Sequence, residues 1–422
     1  MSCDSFRLVK LADLTIDGKG HYGIPASAVK YSKNLLTYLR ITDINDDGTL
    51  NKADLKSVDD PKAQKYVLKE NDIVFARTGN STGRSYYYNP NDGKLVYAGY
   101  LIKFSLDPNK INPMYMKYYT LSDDYRDWVS SFSTGSTRKN INSKTYGDMK
   151  LRIPIREQQD LTVKILSSID KQIDINTRIN HNLEAMAQAI FKHWFVDFEF
   201  PDKNGNPYKS SGGEMVESEL GMIPKGWKVY DLKTLSNMRN GVNYIRNQKG
   251  IPTKVINVRN FDGSLIVNQS KLDVVDLPQK QIEEYKLEKF DTVIVRSAKP
   301  GETMLNIEVN SNVVYSGFTI RVRTEENMKI YVFYYLRNSI KILNNSSNGT
   351  VFKNLNQKIL GSLKVIVPSE DILILYNGIM KGYLKLLVEK NKEVSHLIKL
   401  RDTLLPKLMS GEIRVPTKQT VK

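Results

Sequence analysis

From Leu166 to Trp194 the chain repeats one helical phase: Leu166, Ile169, Ile173, Asn176, Asn180, Leu183, Ala187, Ile190 and Trp194 fall at alternating three- and four-residue steps. Such steps keep one mostly apolar stripe of a helix against a partner. The same phase returns 214 residues later at Met380, Tyr383, Leu387, Lys390, Val394, Leu397, Arg401, Leu404 and Leu408. Two helices with one shared seam predict a two-helix coiled coil. At ~1.5 Å per residue each helix is about 50–60 Å long. The polar seam positions, Asn176 and Asn180 set against Lys390 and Val394, reduce stability but fix register.

Elsewhere the period shortens. Asp72–Arg77, Tyr97–Phe104, Val255–Val258 and Val313–Val322 are β-branched and aromatic and predict strands. Turn signals separate them, among them Asn45-Asp46-Asp47-Gly48, Asn91-Asp92-Gly93 and Asp262-Gly263-Ser264. Short helices are expected at Pro113–Phe132 and Lys329–Leu343.

These segments recur in order. Val96-Tyr97-Ala98-Gly99-Tyr100-Leu101-Ile102 returns as Val314-Tyr315-Ser316-Gly317-Phe318-Thr319-Ile320, and Asp72–Arg77 returns as Asp291–Arg296. Gly135-x-x-x-Lys139-Asn140-Ile141-Asn142 matches Gly349-x-x-x-Lys353-Asn354-Leu355-Asn356, and Leu151–Pro154 matches Val365–Pro368. Leu11–Leu14 resembles Leu232–Leu235. Five ordered matches mark a tandem duplication of about half the chain, too long a unit for a solenoid. The fold class predicted is α+β: two similar mixed α/β domains separated by a two-helix antiparallel coiled coil, with pseudo-twofold internal repetition. Boundaries are expected at 1–154, 155–198 (long helix), 199–368 (linker and second domain), 369–414 (long helix) and 415–422 (polar tail). Residues 205–226, rich in Gly, Ser and Lys, are expected to be a loop. Two copies of one binding domain suggest the single-chain counterpart of dimers that read two DNA half-sites.

Charge strengthens that reading. Against 46 acidic residues stand 62 Lys and Arg, a net charge of +16, which favours polyanionic partners through counterion release. Cys3 is the only cysteine, so neither a disulfide framework nor a thiolate zinc site is expected. The four His (His21, His181, His193, His396) lie in no metal-ligand spacing. With no apolar signal region and no 18-residue apolar run, a soluble cytoplasmic protein without membrane attachment is expected.

Candidate DNA contacts are the polar, basic turns at equivalent places in the two copies. The first supplies Arg77, Thr78, Asn80, Arg84, Thr137, Arg138, Lys139 and Asn140; the second supplies Arg296, Lys299, Thr350, Lys353 and Asn354. Glycines beside them admit close backbone approach, hydroxyls and amides bond phosphate, and Arg or Asn reads base edges. Taken singly, each loop also fits an ordinary solvated turn. Positions shared between copies (Arg77/Arg296, Lys139/Lys353, Asn140/Asn354) suit the framework or the phosphate backbone, and positions that differ suit sequence preference. At the helix ends Phe191, Phe195, Phe198 and Leu405 are candidates for partner binding, whereas Trp194 on the seam suits internal packing.

Leu183-Glu184-Ala185-Met186-Ala187-Gln188-Ala189-Ile190-Phe191-Lys192-His193-Trp194-Phe195-Val196-Asp197-Phe198 resembles the central helix of type I restriction–modification specificity subunits. Leu397–Ile413, with Leu400-Arg401-Asp402-Thr403-Leu404-Leu405-Pro406-Lys407-Leu408, resembles their C-terminal helix, and Ile153-Pro154-Ile155-Arg156-Glu157-Gln158-Gln159 the segment that closes a target-recognition domain. The resemblance spans essentially the whole chain. It implies two target-recognition domains reading a bipartite, asymmetric double-stranded DNA site, with the helices as spacer ruler and docking surface. The implied partners are two methyltransferase subunits and restriction subunits, and S-adenosylmethionine, ATP and magnesium belong to those partners, with no cofactor on this chain.

Signatures of catalysis are incomplete in this chain. Asn112-Pro113-Met114-Tyr115 approaches an adenine-methyltransferase motif, but Met114 breaks it and a helix start explains it. No phosphate-binding loop of the Gly-x-x-x-x-Gly-Lys-Ser/Thr type occurs. Pro201-Asp202 with Asp231-Leu232-Lys233 loosely matches a nuclease arrangement across the linker. The expectation is therefore a non-catalytic recognition subunit. The alternatives are a self-contained methyltransferase or nuclease with its own recognition domains, and a structural spacer indifferent to DNA.

Overall fold

The computed structural model describes residues 6–133, 140–245, 248–308, 312–346 and 354–415. It divides into two compact units. One comprises residues 1–172 with 397–422, the other residues 173–396. The division falls inside both long helices, Arg156–Phe195 and Glu370–Ser410, so each unit owns one mixed domain and part of each helix.

In the first unit an antiparallel sheet runs in the order His21–Tyr22, Leu101–Ser105, Asp72–Ala76, Ser85–Tyr87. A second sheet has the order Ala28–Lys30, Lys56–Val58, Leu36–Leu39, Leu95–Tyr97, its last pair parallel. Arg7–Lys10 pairs with Lys150–Ile153. The second unit has the same plan. Ser236–Asn240, Thr319–Thr324, Thr292–Val295 and Thr303–Leu305 form the antiparallel sheet. Asp273–Leu277, Ile251–Ile256 and Val313–Tyr315 form the mixed one, again ending in a parallel pair. Lys228–Asp231 pairs with Lys364–Val367. The duplication read from sequence is thus a duplication of topology.

Small devices repeat as well. Asp72 and Asp291, both buried, each accept a hydrogen bond from the backbone three residues earlier, from Lys69 N at 2.8 Å and Glu288 N at 2.7 Å. The residue before each is left-handed (Asn71 φ 68°, Phe290 φ 63°), a conformation Asn tolerates and Phe adopts at a cost.

The structure corrects four expectations. Tyr97–Phe104 and Val313–Val322 are not single strands. Each breaks at the Gly-containing turn, where Leu101 N donates to Ala98 O (2.8 Å) and Thr319 N to Ser316 O (2.9 Å), and the chain passes from the mixed sheet to the antiparallel one. The predicted helix 113–132 is two, Pro113–Tyr119 and Asp123–Ser130, because Ser122 turns its hydroxyl back to Tyr119 O and starts the second. Residues 205–226 are more than a loop: Met215–Ser218 pairs with Gly221–Pro224 as a hairpin. Beside that hairpin Phe200 stacks on Tyr208 and Trp227. The fourth correction concerns the polar partners across the long helices, expected at Lys390 and Val394.

On the first long helix the buried stripe follows the predicted phase, with Leu166, Ile169, Asn176, Asn180, Ala187 and Trp194 all buried, and on the second Met380, Leu387 and Leu408 are buried. In the second unit Asn180 Nδ2 donates to Asn391 Oδ1 at 3.2 Å, the Asn176 side chain lies beside the Glu393 carboxylate, and Trp194 and Phe195 pack on Tyr376. Rising numbers on one helix meet falling numbers on the other, an antiparallel pair. The polar partners in the seam are therefore Asn391 and Glu393. In the first unit Leu166 shares a core with Leu405, Leu408 and Met409.

Candidate nucleic-acid interface

Arg77 follows the central strand Asp72–Ala76 of the first antiparallel sheet, and Arg296 follows Thr292–Val295 of the second. Their backbones are held identically. Arg77 N donates to Tyr100 O and Arg296 N to Phe318 O, each at 3.0 Å. Arg77 O accepts from Ile141 N at 2.9 Å, and Arg296 O from Leu355 N at 2.7 Å. The fold therefore brings Asn140 to Arg77, and Asn354 to Arg296, across some 60 residues of sequence in each copy. In the first unit Thr78 bridges Asn140, whose Oδ1 accepts from Arg77 Nε at 3.3 Å. The Arg77 guanidinium lies 4.9 Å over the Tyr22 ring. Arg296 instead donates to Gly317 O at 3.4 Å. Both arginines are half-buried, and both asparagines are exposed.

The other candidates differ in their freedom. Thr78 is half-buried and Asn80 exposed, on a loop turned by Gly79 at φ 77°. Arg84 is engaged with Asp46 (2.7 Å) and Ile44 O (3.1 Å). Lys299 donates to Phe261 O at 3.1 Å, with Glu302 at 3.8 Å. These internal bonds bind part of the donor capacity that phosphate would use. Thr137, Arg138, Lys139, Thr350 and Lys353 lie outside the described residues.

Sequence reasoning missed a basic, Tyr-rich hollow in the first unit. His21, Tyr22, Lys65, Tyr66, Lys69, Tyr97 and Lys103 line it, beside Ile16, Asp17 and Ser105. Tyr22 joins it to Arg77 through the stacked guanidinium. Its basic side chains come from three separate segments, so no run of charge announced it. The cross-strand pair His21–Lys103 corresponds in the second unit to Arg239–Arg321, so basic residue types occupy both copies of the sheet. Arg321 is buried, and that burial lowers its pKa from the usual arginine value.

The helix-end candidates are largely covered within their own units. Phe191, Phe195 and Leu405 are only 3%, 5% and 6% exposed, and Phe198 is half-buried against Trp227. Phe191 and Phe195 meet Tyr331, and Phe195 also meets Tyr376. Their apolar area is consumed by the core of their own unit, as Leu405 is in the first, so they offer no free face to a partner.

The weighed catalytic motifs have structural partners. Asn112 caps the helix Pro113–Tyr119 by accepting from Met114 N at 3.0 Å, and Tyr115 is buried. Asp202 turns its own loop by accepting from Asn204 N and Asn206 N. Asp231 pairs with Lys364 at 3.2 Å and Lys233 at 3.4 Å. Among the described residues no helix is long and apolar enough to cross a membrane.

The twofold architecture has a counterpart among known families. Residues 11–185 and, a second time, 224–376 match the family described as type I restriction modification DNA specificity domain. The chain belongs to that family. It is a type I restriction–modification specificity subunit, a DNA-recognition protein. The MjaIX specificity subunit of Methanocaldococcus jannaschii is 26% identical over 314 residues, covering 71% of this chain and 69% of that one. The HindI specificity subunit of Haemophilus influenzae is 22% identical over 84% of this chain and 89% of its own. The solved S subunit from M. genitalium has the same fold at a TM-score of 0.54, with 15% identity over 96% of each chain. For a specificity subunit, the matched Arg–Asn frames mark equivalent positions in two recognition domains.

Proposed function

We propose that this specificity subunit reads a bipartite, asymmetric duplex target, one half-site per recognition domain, and contributes no bond-making or bond-breaking step. The observation that carries the reading is the repeated frame. Arg77 and Arg296 are held by the same backbone bonds in two copies of one sheet, while the groups their guanidiniums engage differ: the Asn140 amide and the Tyr22 ring in one copy, the Gly317 carbonyl in the other. A common frame with divergent surroundings suits phosphate anchoring at shared positions and separate base preferences at the rest. On this reading Arg77, Thr78, Asn80, Asn140, Arg296 and Asn354 contact the duplex, with Arg84 and Lys299 in supporting bonds.

Within this reading two methyltransferase subunits and restriction subunits dock on the chain in the cytoplasm. S-adenosylmethionine, ATP and magnesium act on those partners. The long helices, each of about 40 residues, supply the spacer ruler. Docking uses helix residues other than the buried Phe191, Phe195 and Leu405.

Methylome sequencing of the host with and without this gene tests the proposal. A modified motif of two unlike halves around a fixed unread spacer, lost on deletion, is expected. An unchanged methylome, or methyl transfer or cleavage by the purified chain alone with S-adenosylmethionine and magnesium, overturns it.

A further inference from the structure

The repeated sequence Val-Tyr-Ala/Ser-Gly-Tyr/Phe carries the chain from the mixed sheet into the turn before the antiparallel sheet in both units. Its fifth residue, Tyr100 in one unit and Phe318 in the other, is 62% exposed in both. Single exposed aromatics are ordinary on protein surfaces. An aromatic left out of the core at the same place in two diverged copies requires a cause.

Both turns are built to hold the ring outward. Ala98 N donates to Leu39 O and Ser316 N to Ile256 O, each at 3.0 Å, and Leu101 N and Thr319 N close the turns. The adjoining segment is locked on in each copy: Gly23 N donates to Leu101 O (3.1 Å) and Gly241 N to Thr319 O (3.0 Å). Ile24 N and Val242 N donate to Tyr97 O and Tyr315 O. A Cβ on Gly23 or Gly241 would sit 2.2 Å from a backbone oxygen of this turn, so the two segments are as close as backbones allow. The carbonyls of Tyr100 and Phe318 are the acceptors that fix Arg77 and Arg296. Neither ring makes an aromatic contact with another among the described residues.

We propose that Tyr100 and Phe318 are the equivalent base-contacting aromatics of the two recognition domains, each laying its ring against bases in a groove of duplex DNA. The inference rests on the DNA-recognition reading above. The copies share the ring and not the hydroxyl, so the contact is apolar: a wedge at a base step or packing on a thymine methyl, with no hydrogen bond. The backbones of Arg77 and Arg296 bond to these residues, so each ring-bearing residue has an arginine bonded to it through the main chain as a candidate phosphate contact. A rigid turn presents the ring at little entropic cost on binding.

The test uses the full chain and a fluorescent duplex carrying the motif that host methylome sequencing assigns to this gene, with a scrambled duplex as control. Tyr100→Ala and Phe318→Ala are each expected to weaken binding to the target about tenfold. The slope of log Kd on log salt should stay unchanged, because no charge is lost. Tyr100→Phe is expected to bind within about twofold of the parent, and thermal midpoints should be unaltered because the rings lie outside the core. Alanine variants that bind the target as the parent does, or that lose scrambled and target duplex equally, overturn the inference and leave the recognition reading standing. A parent chain unable to prefer target over scrambled duplex overturns both.

Discussion

Asp170 shows how a single polar residue ties a helix seam to a domain. Within the first unit its carboxylate accepts from Lys117 Nζ at 2.7 Å, Tyr118 Oη at 2.9 Å and Arg401 Nη1 at 3.3 Å. Burial opposes its ionisation, but Lys117, Tyr118 and Arg401 outweigh that and hold the carboxyl below the usual aspartate range. A carboxyl lowered in the folded state contributes stability that is fully present above its unfolded pKa of about 4. That stability is lost as pH falls through the lower folded value. Asp170→Asn should therefore cost roughly 1–3 kcal/mol at neutral pH, by urea unfolding, because charged hydrogen bonds in a mostly buried site are lost. The deficit should shrink as pH drops below about 4. A deficit equal at pH 3 and pH 7 would show that the ionised form is not the one that stabilises.

At the scale of elements, the close approach of the Gly23 and Gly241 segments to the aromatic turns is a steric requirement. Gly241 would place a Cβ 2.2 Å from Tyr315 O and 2.3 Å from Ser316 O. Backbone cannot yield as a flexible side chain does, so Gly241→Ala should destabilise the second unit by at least about 2 kcal/mol. Chemical denaturation should reveal that loss, whereas Gly263→Ala, with open space around its Cβ, costs only the strain of its positive φ. Equal losses at the two sites would refute the close-packing account. The helices follow a different rule. Their contact is mostly apolar, and polar side chains meet across it, Asn180 bonded to Asn391 and Asn176 lying beside Glu393. Such pairs favour one register over those that would bury them against leucine.

On the scale of the whole molecule, net charge and duplication set the expected mode of binding. With +16 on the chain, affinity for duplex should fall steeply with salt. Arg77→Ala and Arg296→Ala should each weaken binding most at low salt and lower the salt slope by about one, if each contacts a phosphate. A distant lysine such as Lys203, exposed on the loop after Phe200, should change neither measurably. Fluorescence titration from 50 to 300 mM salt, about the range in which screening changes most, reads both quantities. Equal effects from all three substitutions would refute specific anchoring by the arginines.

Much of this organisation is written locally. The three–four periodicity of Leu166–Trp194 and its return at Met380 require helices with a buried stripe, and ordered repeats require two domains of one topology. These follow from side-chain spacing and chain order, which the sequence carries outright. Exposure does not follow from them. Phe191, Phe195 and Leu405 read as free apolar surface until Tyr331, Tyr376 and Leu166, far off in sequence, cover them. Tyr97–Phe104 and Val313–Val322 read as strands, because β-propensity cannot register that a second backbone at Gly23 or Gly241 bends the chain between two sheets. The basic hollow beside Tyr22 draws its lysines from separate segments. The sequence by itself determined the α+β class, the duplication and the helix phase. Only the tertiary structure decided which aromatics face solvent and which cations converge, because burial and proximity are set by residues distant along the chain.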